Sequence, residues 1–293
     1  MKILLFSVFF FYSYSACATS IPVLVADDVL QFYKRVKAQH NLDQLNDFSS
    51  LPQGRDLIDL IILERALKLG QCECTLAFNN SGLYGRNLQL VKSGQFVMTV
   101  DSVWQQDTLN EQDNLLISAP IIKKGQYDVG LYTSALNKKA LNIYSPEQIT
   151  HLTAASNRYW SADWATLHQL APKKFAHVDS WYTMVKVINR QMADFTLLHF
   201  RNSQDLSIKL GNATLKPIPN VKAILWDSRH FALSKKHPLS QQVFTALNIG
   251  LEKLERQGLI NKAYQDIGIS SPKTQNWTVL NPTPPMAEQQ HLN

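Results

Sequence analysis

Polar and aromatic side chains collect at a few strand-to-helix turns of this chain, and their types suit the holding of a small solute. Asp27 and Asp28 close the run "SIPVLVADD". Asn79, Asn80 and Ser81 precede a helical stretch, and Thr99 and Asp101 end "QFVMTVD". Further on, Asn157, Arg158, Tyr159 and Trp160 form one turn, Ser180 and Trp181 another, and His199 falls at the end of "ADFTLLHF". Carboxylates and amides receive ammonium or hydroxyl groups, a guanidinium pairs with an anionic group in bidentate fashion, and indoles stack on flat or sugar-like surfaces. Ligands of open α/β sheets gather at the carboxyl ends of strands, where helix N-termini present free N–H groups. On these grounds Asp27, Asn80, Ser81, Thr99, Asp101, Arg158, Trp160, Trp181 and His199 are the candidate ligand contacts. Each also has a plainer reading. Arg158 is either an anchor for an anionic group or a solvated surface arginine. Trp160 and Trp181 either stack on a ligand or pack against the lobe, and His199 is either a contact or a hydrogen-bonded strand end.

Catalysis and metal chemistry find less to work with. The chain has no Gly-x-Ser-x-Gly elbow, no His-Glu-x-x-His and no phosphate loop. Asp27 and Asp28 are adjacent at a strand end, so their side chains diverge and make a poor acid/base pair. No catalytic residue, no cofactor and no enzyme activity is expected. Cys72-Glu73-Cys74 lacks third and fourth metal ligands nearby, so no metal site is expected. An even cysteine count outside the leader invites a disulfide, yet Cys-Glu-Cys closes a very tight ring and alternate strand residues point to opposite faces. The expectation is two separate thiols.

The elements that must position these residues alternate. "SIPVLVADD" reads as a strand, while 29–50 is polar and unassigned. "GRDLIDLIILERALKLG" has the spacing of a helix closed by Gly70. "CTLAF" is a strand, Tyr84 to Lys92 a helix stopped by Gly94, and "QFVMTVDSVW" a strand. This is an α/β layout with a parallel sheet. "LLISAPIIKKGQYDVGLYT" breaks it with two strand-like runs. Ser145 then caps "PEQI", and a second series follows: "THLTAAS", the helix "SADWATLHQLA" capped at Ser161, "FAHV", the helix "SWYTMVKVINRQM" capped at Ser180, and "ADFTLLHF". After "AILWDSRHFALSKK" a helix from about Ser240 to Gln257 ends on Arg-Gln-Gly. From Ser270 on, Pro, Asn and Gln dominate without periodicity, and the tail 270–293 is expected to be disordered.

The 293 residues are 45% hydrophobic and 18% charged, which fits globular domains rather than a disordered chain. The formal charge is +6, but Lys and Arg never run longer than two, so nucleic-acid binding is not expected. Residues 1–18 combine one lysine, an apolar run and Ala16-Cys17-Ala18, as in a cleaved signal peptide, and the run is shorter than the roughly 20 residues a membrane span needs. A periplasmic location follows, with lipidation at Cys17 as the second possibility.

"FALSKKHPLSQQVFTALNIGLEKLERQGLINKAYQDIG" resembles the C-terminal segment of extracytoplasmic solute-binding proteins of the polar amino-acid type (bacterial extracellular solute-binding protein family 3). In that family a strand ending in Ser-Lys/Arg-x-x-Pro leads to a helix, a glycine break and a short second helix. "YGRNLQLVKSGQFVMTV", "LLISAPIIKKGQYDVGLYT" and "DSWYTMVKVINRQMADFTLLHF" resemble three further units of the family, so the likeness spans most of 20–269. It resembles in particular an uncharacterised branch with no settled ligand.

The resemblance implies a two-lobe periplasmic-binding-protein type II fold, each lobe a mainly parallel sheet flanked by helices. Lobe one would be 20–130 plus 226–269 and lobe two 134–222, with crossings near Val129–Thr133 and Leu225–Arg229. It implies capture of a small polar solute by hinge closure and delivery, as a monomer, to an inner-membrane ABC permease. A ligand-sensing or co-receptor role on the same fold is the alternative. The chain departs from the amino-acid binders at two points. The arginine that clamps the ligand carboxylate falls near Glu111, and the aspartate that receives the ammonium falls at His199. Both departures speak against an α-amino acid held in the family's usual manner and leave Arg158 as the best anion anchor.

Overall fold

The structure is a computed structural model that describes residues 19–51, 54–80 and 84–285. The leader 1–18 and the candidate Ser81 lie outside the described residues.

Alternating aliphatics make β1 (Thr19–Val25), whose Ile21, Val23 and Val25 are buried. The strand stops at Val25, and Asp27 opens α1 (Asp27–Gln39) instead of ending a strand. Two aspartates in its first turn favour that helix N-terminus. Val29, Tyr33 and Val36 form its buried stripe, a spacing that 29–50 contained all along. α2 (Arg55–Leu69) is buried along nearly all its length, which fits a core helix apolar on every side. Then come β2 (Cys74–Asn80), α3 (Tyr84–Lys92), β3 (Met98–Thr99) and β4 (Val103–Trp104). The expected single strand over "QFVMTVDSVW" is thus split at 100–102, where Ser102 turns its amide and hydroxyl to Asp59. β5 (Leu115–Ile122) and β6 (Tyr127–Ser134) follow.

The second series holds α4 (Lys138–Leu141), α5 (Pro146–Ile149), β7 (Thr153–Ser156), α6 (Ser161–Leu170), β8 (Lys174–His177), α7 (Trp181–Asn189), β9 (Thr196–Leu198), β10 (Ile208–Leu210) and β11 (Ala213–Leu225). Ser145 and Gln148 form a capping box on α5, and the Ser180 hydroxyl caps α7 by accepting from the Thr183 N–H. Ser161 does not cap α6: Trp160 holds that position, and the Ser161 hydroxyl is buried without a partner. β12 (Arg229–Ser234), α8 (Ser240–Arg256), α9 (Leu259–Asp266) and β13 (Thr278–Val279) complete the chain.

Two principal sheets result. One has the order β2-β1-β3-β12-β4 with β5 on β12, and the other β10-β11-β6-β9 with β13 on β11. β7 and β8 pair with each other in parallel beside the second sheet. The sheets are mixed rather than mainly parallel. β1 pairs in parallel with β2 and β3, whereas β12 meets β3, β4 and β5 antiparallel, and β6 meets β9 and β11 antiparallel. The reason is the crossing itself: the chain leaves on β5–β6 and returns on β11–β12, so outgoing and returning strands run opposite ways. The first passage falls at Lys123–Gln126, a few residues before the expected one, and the second at Trp226–Ser228.

The late helices pack back on the first lobe. α8 lies against α2 so closely that a methyl on Gly250 would sit 1.8 Å from the Ala66 carbonyl oxygen, and one on Gly70 equally close to that of Ala246. α8 ends at Arg256, and Gly258, at φ +68°, turns the chain into α9. That left-handed residue is the helix break read from Arg-Gln-Gly.

Two further expectations are overturned. Cys72 and Cys74 form a disulfide with their Cα atoms 5.2 Å apart. β2 begins only at Cys74, and left-handed Gln71 (φ +58°) turns the chain just before Cys72, so the two never share a strand. The tail is not disordered over 270–285. Trp277 packs on Phe200 and β13 pairs with β11, because one aromatic anchor and two ladder residues order a segment that has no period of its own.

Candidate functional site

The split between β3 and β4 brings Ser102 under the first turn of α2. Asp59, fully buried, accepts from the Ser102 amide at 2.8 Å, the Ser102 hydroxyl at 2.7 Å and the Tyr264 hydroxyl at 2.6 Å, and pairs with Arg55. The same Ser102 hydroxyl accepts from Arg55 Nη1 at 3.0 Å and from Arg229 Nε at 2.8 Å, and the Ser102 carbonyl accepts from Arg229 Nη2. One hydroxyl therefore uses its donor and both acceptor sites. Arg229 also lies 4.3 Å over the Trp104 ring, a cation–π contact that fixes its plane.

Around this knot the charges are unequal. Arg55 and Arg229 face Asp56, Asp59, Asp101 and Asp163. Burial by itself would lower the Arg55 pKa, but Asp56 and Asp59 outweigh it and keep the guanidinium charged. Asp101 accepts from the Thr99 hydroxyl, and burial beside Asp56 pushes it up to about 6. Asp163, in the first turn of α6, is pushed up to about 7 by burial even though Arg229 and Arg55 pull the other way. Among the described residues neither Asp101 nor Asp163 has an ion-pair partner within 4.0 Å. Burial, then Arg201 and Arg55, hold the His199 imidazole well below its ordinary pKa and therefore neutral. Asp163 and His199 belong to the second series, Arg55, Asp101 and Arg229 to the first sheet and its helices, so this is a junction of mixed charge made by both halves.

The candidates read from sequence divide into groups. Asp101, Thr99 and His199 belong to the junction. Asp27 accepts from Asn80 Nδ2 at 2.9 Å, and this exposed pair sits where β1 and β2 end. Arg158 is exposed, its backbone N–H donating to His177 Nδ1 at 3.2 Å, and no contact joins it to the charged junction. Trp160 and Trp181 are half-buried and pack against the second lobe's core. Arg55, Asp56, Asp59, Asp163 and Arg229 were missed. The family's spacing points to a cation near Glu111, whereas both cations here come from distant elements, α2 and β12. The available signal was "GRD" at the start of an otherwise apolar helix.

Two grooves lie elsewhere. One of about 610 Å³ on the second lobe is lined by Leu141, Leu206, Pro217 and Trp277. One of about 230 Å³ behind the first passage is lined by Lys123, Gln126, Tyr264 and Ser270. The case for the junction is its chemistry. Among the described residues no group of His, Cys, Asp and Glu could hold a metal ion.

No family model matches this chain. No curated protein matches it either. Solved structures do. The chain is similar to a "probable amino-acid ABC transporter extracellular-binding protein ytmK" from Bacillus subtilis, with 11% identity over 87% of this chain and 99% of that one at a TM-score of 0.58. It is similar to the periplasmic VFT2 domain of BvgS from Bordetella pertussis (13%, 84% and 92%, 0.56) and to the GluR0 ligand-binding core from Nostoc punctiforme in complex with (L)-glutamate (12%, 86% and 100%, 0.50). The fold is thus the two-lobe periplasmic-binding-protein type II fold of the amino-acid binders.

Proposed function

We propose that this protein is an extracytoplasmic solute-binding protein whose ligand is a small polar molecule carrying a cationic group, held between the lobes. The observation that carries this reading is the junction to which each half brings a half-buried carboxylate without an ion-pair partner among the described residues, Asp101 from one and Asp163 from the other. A cation beside them favours the charged carboxylates that burial now disfavours at both positions. Arg229, held by Ser102 and Trp104, is the group that would meet an anionic end, so a zwitterion also suits the site. Thr99 orients Asp101, and His199 offers a neutral hydrogen-bonding ring. Asp27 and Asn80 of the first lobe, and Arg158, Trp160 and Trp181 of the second, are proposed as outer contacts.

Delivery to an inner-membrane ABC permease, from the periplasm and as a monomer, is the first biological setting. It is supported by the likeness in fold to the probable amino-acid ABC transporter binding protein of Bacillus subtilis. A ligand-sensing role outside transport is the second, supported by the likeness to the BvgS and GluR0 domains. No described helix is long and apolar enough to cross a membrane. Neither setting calls for catalysis.

A thermal-shift screen of the purified protein against amino acids, amines and dicarboxylates tests the ligand class. Stabilisation by amines or zwitterions, weakened in Asp163→Asn, is expected. Stabilisation by dicarboxylates alone would contradict the cationic reading.

A further inference from the structure

The chain crosses between its lobes a third time. α9 ends in the first lobe's core with Ile267 and Ile269 buried, and from there residues 270–281 run across to the second sheet. At Gly268 (φ +101°) the two lobes touch backbone to backbone, where a methyl would stand 2.1 Å from the Phe200 carbonyl oxygen. The Ser270 hydroxyl donates to the carbonyl of Gln126, in the first passage. Lys273 Nζ donates to the Ser203 carbonyl at 3.0 Å, and Trp277 meets Phe200 edge-on at 5.3 Å between ring centroids.

β13 then takes the edge of β11 beyond the part that β10 covers, pairing Thr278 with Val221 and Val279 with Lys222. Asn281, 2% exposed, closes the run. Its Oδ1 accepts from the Ile224 amide at 2.8 Å, its Nδ2 donates to the Ile224 carbonyl at 2.8 Å, and its carbonyl accepts from Trp226 Nε1 at 2.8 Å, in the second passage. The segment is therefore fastened to both hinge passages and to the far lobe.

We infer that residues 268–281 are a brace that limits rotation of the lobes, so that the angle between them is set by this strap as well as by the two hinge passages. A hinge works by concentrating its φ/ψ change in a few residues. Here the residues at 123–126 and 226–228 cannot turn freely while Ser270 holds one passage and Asn281 the other. The ligand then meets a cleft already near its bound geometry, and binding is accompanied by little closure.

The test is made on the ligand-free protein, so its outcome does not depend on the solute-binding proposal. Hydrogen exchange of the unaltered protein is expected to show the amides of Leu280 and Ile224 protected like the middle of β11. Exchange there as fast as in an exposed loop overturns the brace with no variant needed. In Asn281→Ala, folded by circular dichroism, exchange at 226–228 is expected to rise about tenfold or more, as local opening becomes easier, and X-ray scattering is expected to give a larger radius of gyration. A folded variant that loses protection at 278–281 yet keeps both the hinge exchange and the radius of the unaltered protein overturns it as well. Trp277→Leu, which keeps an apolar side chain but removes the ring contact with Phe200, serves the same purpose should Asn281→Ala fail to fold.

Discussion

Ser102 links the two cations of the junction to Asp59 through one hydroxyl, one amide and one carbonyl. Ser102→Ala keeps the amide but strips a partner from Asp59, Arg55 and Arg229 at once. Leaving buried polar groups unsatisfied costs about 1–3 kcal/mol. Urea unfolding is expected to show a midpoint lowered accordingly, and an unchanged midpoint would mean that water replaces the hydroxyl. Asp163 gives a pH test. Its folded pKa of about 7 lies above the value of an unfolded aspartate, so the folded protein binds the extra proton and gains stability as pH falls from 8 towards 6.5. Asp101, at about 6, adds to the gain further down. Below 6.5 the lowered pKa values of His199, His230 and His237 work against it, because the unfolded chain takes up protons that the folded rings refuse. Melting temperatures are therefore expected to rise from pH 8 to 6.5, with most of the rise missing in Asp163→Asn.

At the scale of elements, two glycines of one helical hairpin do different work. Gly250 has no room beyond its hydrogen, whereas Gly258 has nothing within 4 Å but a left-handed backbone. Gly250→Ala must push α8 off α2, and overpacking of this sort typically costs about 1–3 kcal/mol. Gly258→Ala meets only the left-handed penalty of roughly 1–2 kcal/mol. Denaturant titration of both is expected to place Gly250→Ala as the less stable, and the reverse order would mean that α8 and α2 part easily. These elements also show what sequence can convey. The glycine break, the Ser180 cap and the capping box at Ser145 rest on local chemistry and were legible. α1 carried its stripe at Val29, Tyr33 and Val36 in plain view, but surrounding polar residues masked it. The Arg55–Asp59–Ser102–Arg229 knot was not legible, because its members meet only when α2, the 100–102 break and β12 converge. The ordered tail was hidden for a related reason: β13 borrows its ladder from β11 and has no pattern of its own.

At the scale of the whole molecule, two lobes of mixed sheets enclose a polar junction, and the tail straps them behind it. The lobes do not meet through charges alone, since one apolar cluster runs through the first lobe and on into α6 and β9 of the second. That continuity, with the strap, favours a cleft whose half-buried carboxylates stay unpaired until something neutralises them. The measurement that tests this account most directly is native mass spectrometry of the protein, purified without denaturation, beside Asp101→Asn and Asp163→Asn variants. The account predicts a small polar adduct bearing an amine or other cationic group on the unaltered protein, and its loss from both variants while their charge-state distributions stay those of a folded chain. An adduct retained in both variants, or a purely anionic one, would contradict it.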